Sequence, residues 1–472
     1  MFDPVIAPSG TLLGLLQRGR GDGTLHALAA PRPEALAALN HCVLDDPRHD
    51  WQVENRSLYY ARLYVDLDGG LEEIEEHLFD TADLVDADES RTGLALAVLG
   101  HLASYGREDA LALLRQYART GSNWAWALDE LALRDNDAGL RQLAVPVLAR
   151  FPGTPQGETE LATAVRDAFE PRPWRLWAQD PREAVGARVR AAGEQGSFDR
   201  WQRQMRPTGP RPGWSVQAVF DWAQQGLDRG TPLHVPAARC LTAVAGPADR
   251  AAIVTAALSG EDGARSTALH YLAESQDPAV LDLIEAAAQS PSRTVADAAV
   301  ASFERMCGAA AVDRARGWVH RPDVLGASAA GVLACRGGAQ DAPLVLGALR
   351  ETVRSDGPDA PLLWTLVDGA GRLGIGSAAP VLRHVYRETT SSHLRGRAAR
   401  ALAATDPSYA TGFAVECLWD CEETTREVAA LHAETADARV ADRLRRLAAD
   451  PAEEAEVQTA VRSRIGPDAP AL

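Results

Sequence analysis

The sequence predicts an all-α fold: a right-handed α-solenoid of stacked helical hairpins, about ten to twelve of them, with a central irregular segment. Three observations predict it. Apolar residues recur at helical spacing in stretches too short to hold a helix together alone in water. A turn signal of Asp-Pro or Gly-Pro type returns at a steady interval. Hydrophobic residues make up 46% of the 472 positions, enough for a core, yet almost none alternate with the period of two that a strand needs.

The stretch Gly263–Ser290 shows the unit most clearly. Ala264, Ala268, Tyr271 and Leu272 form one helical stripe, and Val280, Leu281, Ile284, Ala287 and Ala288 form a second. Asp277-Pro278 separates them, because proline disfavours a helical conformation in the residue before it and then suits the first turn of the next helix. Comparable markers stand at Gly246-Pro247, Gly308, Asp341-Ala342-Pro343, Ala379-Pro380, Asp406-Pro407 and Asp437. They step by roughly 27 to 38 residues, about the range of stacked helical hairpins. Neither helix of a unit buries its stripe alone, and the next unit supplies the missing surface.

The run Arg395–Pro407, which reads R-x-x-A-x-x-A-L-x-x-x-D-P, resembles a HEAT repeat of the short bacterial kind, as also found in phycobilisome lyases. The likeness covers roughly Val235–Asp450 well and the first 150 residues more loosely. It implies a right-handed solenoid that binds other macromolecules. No catalytic residue of the lyases is carried over, because the likeness is confined to the repeat.

Net charge is −17, which argues against non-specific nucleic-acid binding as the main activity. All 48 residues in the Lys+Arg count are arginine. Genome composition explains that bias; an alternative is a protein that works beside lysine-tagging machinery. The cysteines (Cys42, Cys240, Cys307, Cys335, Cys417 and Cys421) lack framework spacing, as expected in a reducing compartment. The N-terminus lacks a secretory pattern and no apolar run approaches membrane-spanning length, so a soluble, cytoplasmic protein is expected.

In chain order, residues 1–151 are expected to form an N-terminal arc, 152–230 an irregular Arg/Trp/Pro-rich segment, and 231–472 a C-terminal arc ending in a capping helix near Ala452–Ile465. Within the first arc, Arg18–Thr24 (RGRGDGT) reads as an inter-helix turn, since it lacks the lysine and preceding strand of a phosphate loop. Asp66–Glu89 holds eleven acids and no arginine, which reads as a solvated face or a docking surface for a basic partner. Trp124, Trp126 and Asp129 are similar to the tryptophan–aspartate sets with which HEAT-like alkylpurine DNA glycosylases hold a cationic base. Their spacing places the two tryptophans on different faces of one helix, and core packing is the expectation.

The central segment holds five of the eleven tryptophans, and Arg166–Trp214 carries ten arginines against six acids. Arginine interleaved with tryptophan is the composition of binding hot spots. The candidate binding residues are Trp174, Trp177, Trp201, Arg203, Arg206 and Trp214, with a buried hydrophobic plug as the alternative. Exposed positions of Val280–Gln289, Val381–Glu388 and Val440–Arg446 are further candidate contacts in the C-terminal arc. Cys417, Cys421 and His432 fall short of a metal set, and the two thiols read as structurally buried. His384 and His393 read as side chains near a helix C-terminus. The sequence shows no nucleophile–base arrangement and no cofactor motif. The expectation is a non-enzymatic scaffold or adaptor for a protein partner, without cofactor. The alternatives are a nucleic-acid-associated protein of the glycosylase type, working through the Arg/Trp segment, and an enzyme whose site is assembled from distant repeats.

Overall fold

A computed structural model describes residues 6–48, 53–54, 56–84, 88–204 and 213–465. Among these the chain forms twenty-eight α-helices and four short 3-10 turns, with no strand. It is an all-α helical solenoid in which neighbouring helices pack on one another. No helix of the described residues is long and apolar enough to cross a membrane. The chain divides into two compact units: 1–206 with 386–403 and 407–472, and 207–385 with 404–406.

The second unit shows the repeat plainly. The helices His234–Val244, Asp262–Glu274, Arg293–Arg305, Val324–Arg336 and Leu363–Arg372 stack one on the next as a layer. Arg250–Ser259, Val280–Ala287, Ala309–Trp318 and Ala342–Asp356 form the hairpin partners on one side of that layer. Layer helices meet neighbours on several sides, so their buried positions are mostly small. In Asp262–Glu274 these include Gly263, Ala264, Ser266, Thr267, Ala268 and Ala273. Gly369 shows why: a Cβ there would come within 2.5 Å of the Cβ of Ala334 on the preceding layer helix. The partner Val280–Ala287 instead carries larger side chains, burying Val280, Leu281, Leu283 and Ile284.

The turn aspartates do more than end helices. Asp277 receives Arg250 (2.5 and 2.8 Å), Asp341 receives Arg316 (2.7 and 3.0 Å) and Asp406 receives Arg383 (2.6 Å). In the first unit Asp135 receives Arg115 at 2.5 and 2.9 Å. Each arginine lies 20 to 27 residues before its aspartate, one hairpin earlier, so the pair ties consecutive repeats together.

Residues 152–230 are largely helical where described: Pro155–Asp167, Arg172–Ala178, Glu183–Gln204 and Val216–Asp228. Pro155 and Pro173 sit in first turns, where a missing N–H costs little. Pro155 follows Thr154, whose hydroxyl accepts from the Gly157 N–H at 3.2 Å. Among the described residues, Pro155 and the Pro171–Pro173 pair thus mark helix starts.

The first unit joins the two ends of the chain. The helix Gly21–Ala29 packs on Phe413–Cys417. The RGRGDGT stretch is therefore a docking point as well as a turn. Gly19 has φ +68°, its carbonyl accepts from Cys421 N–H at 2.8 Å, and a Cβ on Gly21 would meet the Glu416 carbonyl oxygen at 1.8 Å. Only glycine permits both the left-handed conformation and that approach. Ionic contacts reinforce the seam. Arg62 bonds Asp450 and Glu453 at 2.9 Å each, and Glu453 also holds Arg426 at 2.7 and 3.0 Å. Arg395 and Asp420 form a fully buried pair at 2.7 and 2.9 Å.

Candidate functional site

A cleft of about 700 Å³ in the first unit is built on the helix Trp124–Arg134. Asn123 fixes the start of that helix. It is buried, and its side-chain amide donates to Thr92 Oγ1 at 2.9 Å. Trp126, Asp129 and Glu130, at i, i+3 and i+4, then share a face. Thr163, Ala164 and Phe169, from the helix Pro155–Asp167 and the loop after it, close the opposite side, and Trp174 completes the floor.

Trp124 and Trp126 both pack against the hydrophobic core, as their spacing predicts, and both are half-buried and also line this one cleft. Trp124 keeps a packing role as well. Its ring meets Phe151 at 5.8 Å and Trp174 at 6.4 Å, both edge-on, with the Arg150 guanidinium 5.6 Å from its centroid. Phe169 is 81% exposed at the mouth, an apolar ring held in water by its loop.

Two carboxylates sit among these rings. Burial pushes Asp129 up to about 6, against the Glu170 backbone N–H that donates to its Oδ1 at 3.1 Å and favours the ionised form. Burial also pushes Glu130 up to about 7, opposed by Arg134, whose Nη1 lies 2.6 Å from Glu130 Oε2. Asp129 has no ion pair among the described residues. A half-buried carboxylate without a counter-charge, in a cleft lined by tryptophans, favours a cation through Coulomb attraction.

The residues singled out from sequence fall in different places. Trp177 is fully buried, donates its indole N–H to the Leu140 carbonyl at 2.8 Å, and stacks edge-on against Trp174 at 4.9 Å. It is a packing residue with no surface to offer, as the plug reading holds. Trp174 is 4% exposed and presents that remnant to the cleft. Trp214 belongs to the second unit and meets Trp222 edge-on at 5.8 Å. The side chains of Trp201 and Arg203, and all of Arg206, lie outside the described residues. Arg188, one of the ten arginines of Arg166–Trp214, spends its charge internally on Glu158 and the carbonyls of Leu148 and Phe151.

Other expectations also resolve. Glu72, Glu73, Glu75 and Glu76 are exposed, whereas Asp83 is buried, accepting from Tyr117 Oη at 2.5 Å and Ser122 N at 2.9 Å. Cys417 is buried against Tyr386 Oη at 3.1 Å. His393 stands in the first turn of Ser392–Thr405, at a helix N-terminus rather than a C-terminus. Its hydrogen bond with Glu422, 3.1 Å away, and the charge of that carboxylate raise its pKa to about 9.

Fold and cleft together define an all-α helical solenoid with an acidic cleft lined by aromatic residues. No family model matches the chain, and no curated protein does.

Proposed function

We propose that this protein is a non-enzymatic, cytoplasmic scaffold or adaptor of the HEAT-repeat kind, which holds a protein partner by seating a cationic side chain in the Trp124–Trp126–Asp129 cleft. The observation that carries the reading is the unpaired Asp129 carboxylate set among tryptophans, with Phe169 exposed at the rim. Trp126 supplies a π-surface for an arginine or alkylated lysine, Asp129 the counter-charge, and Phe169 an apolar contact for the flanking chain. Cation–π contacts of this kind contribute about 0.5–2 kcal/mol each.

Titration with arginine amide and with tetramethylammonium, followed by tryptophan fluorescence, tests this. Binding requires ionised Asp129, so affinity is expected to rise as pH rises through about 6. Asp129→Asn is expected to weaken binding about tenfold, equivalent to ~1.4 kcal/mol, and to flatten the pH profile. Equal affinities for parent and variant at pH 8 would remove the cleft as the cation site.

A second reading rests on the same residues. Tryptophans and an aspartate lining one cleft suit a cationic, N-alkylated purine as well as a cationic side chain. Release of free base from alkylated duplex DNA, lost in Asp129→Asn, would establish this reading in place of the adaptor.

A further inference from the structure

A second recognition site lies elsewhere in the first unit, with the opposite electrostatic character. Two adjoining hollows, of about 250 and 350 Å³, open between the helix Ala438–Ala449 and N-terminal elements, and both are lined by Asp66, Arg443 and Arg446. Arg443 is the anomaly. It is only 9% exposed; its Nε donates to the Leu418 carbonyl at 3.1 Å and its guanidinium lies 5.4 Å from the Trp419 centroid. Its two terminal nitrogens have no acceptor among the described residues. A guanidinium stays charged at neutral pH, so this is a buried cation whose donors face a cavity, the situation that most strongly favours an added anion.

The surrounding charges do not supply that anion. Asp450 and Glu453 are taken by Arg62 and Arg426. Asp442 is taken by Arg446 at 3.0 Å, and Asp437 by Arg439 at 2.8 Å. Asp66 remains, 4.0 Å from Arg446 and outside ion-pair distance of Arg443. It faces Arg443 and Arg445, neither of which has an ion pair among the described residues, so positive charge is in excess. Burial weakens that one carboxylate further by raising its pKa. The second hollow has an apolar wall of Leu25, Leu28, Val415 and Trp419.

We propose that these hollows bind a small organic oxyanion, a carboxylate or phosphate, whose charged head engages the terminal nitrogens of Arg443 beside Arg445 and Arg446 and whose apolar body lies against Trp419 and Leu28. Guanidinium donors match either head in bidentate geometry, and the hollows have the volume of one small molecule. The site is independent of the acidic Trp124–Asp129 cleft. Its walls come from the helix Ser57–Asp66 and from Ala438–Ala449, so occupancy also ties the two ends of the chain together.

Calorimetric titration of the full chain with benzoate, phenyl phosphate and the neutral isostere benzyl alcohol tests the proposal. Saturable binding of at least one anion is expected, at least tenfold tighter than benzyl alcohol, and a saturating dose should raise the melting temperature. Arg443→Met keeps the apolar stem and is expected to weaken anion binding tenfold or more and to abolish the thermal shift. Should that variant fail to fold, Arg445→Gln and Trp419→Leu give the readout, each expected to weaken binding about three- to fivefold. Comparable affinity for benzyl alcohol, no saturable binding of either anion up to 10 mM, or unchanged affinity in the variants overturns it. Inorganic phosphate run alongside separates the contribution of the head from that of the apolar wall.

Discussion

At the scale of single residues, the seam of the first unit depends on charges placed where water cannot reach. Arg395 and Asp420 are both fully inaccessible, and Arg395 also reaches the Gly19 carbonyl at 3.4 Å. Such a pair is a weak net stabiliser, because desolvation of both ions offsets most of their attraction. Breaking it is another matter. Arg395→Met leaves Asp420 as an uncompensated buried carboxylate and is expected to cost about 3–5 kcal/mol, read as a fall in the urea midpoint. Replacing both, Arg395→Met with Asp420→Leu, is expected to recover most of that loss, though the Glu422 N–H that donates to Asp420 at 3.0 Å loses its acceptor. A loss under 1 kcal/mol for the single variant would show that water enters the site. Nothing in the sequence marks this pair. Arg395 is legible as the first residue of a HEAT-like run, but its partner stands 25 residues away and its burial comes from the N-terminal segment folding over it.

At the scale of the helical element, the turn aspartates were visible as punctuation while their bonding was not. Asp277, Asp341 and Asp406 are readable as helix stops because an aspartate before or near proline has local causes. The arginine each one holds lies a full hairpin earlier, a distance that depends on stacking rather than local propensity. The pairs have a pH consequence. In Asp341 the Arg316 guanidinium holds the pKa below the usual carboxylate value, aided by the Gly338 N–H. A depressed folded-state pKa contributes stability that is present above the unfolded value of ~3.9 and is lost as pH falls through the folded one. Asp341→Asn is expected to cost about 1–2 kcal/mol at pH 7, a modest figure because Arg316 is partly solvated. Below pH 3 the difference from the parent is expected to shrink, in chemical denaturation at both pH values. A gap that stays constant would place the effect in the turn itself. The same limit explains the cleft: the i, i+3, i+4 relation of Trp126, Asp129 and Glu130 is legible, but the wall from Thr163, Ala164 and Phe169 comes from a separate helix and loop.

At the scale of the whole molecule, repetition and helix type follow from local sequence, while the pairing of chain ends does not. Local stripes and turn markers are enough to predict stacked hairpins, since each helix needs only its neighbours. The first unit adds contacts between residues nearly four hundred positions apart, such as Arg62 with Glu453 and Arg395 with Gly19. No periodicity encodes these; Gly19 and Gly21 register them only as glycines in an ordinary-looking turn. The arrangement predicts a complementation. Residues 1–206 produced alone expose the surfaces that 386–472 cover, including the side chain of Arg62 stripped of both carboxylates. The fragment is expected to be poorly soluble or to lack cooperative unfolding. Adding 386–472 as a separate chain is expected to restore both, with the two fragments eluting together on size exclusion. Arg62→Glu in the longer fragment places a negative charge against Asp450 and Glu453 and should weaken that association at least tenfold, about 1.4 kcal/mol. If 1–206 instead unfolds cooperatively alone and does not bind 386–472, the two ends are separately stable and the ionic seam between them is not a stabilising contact.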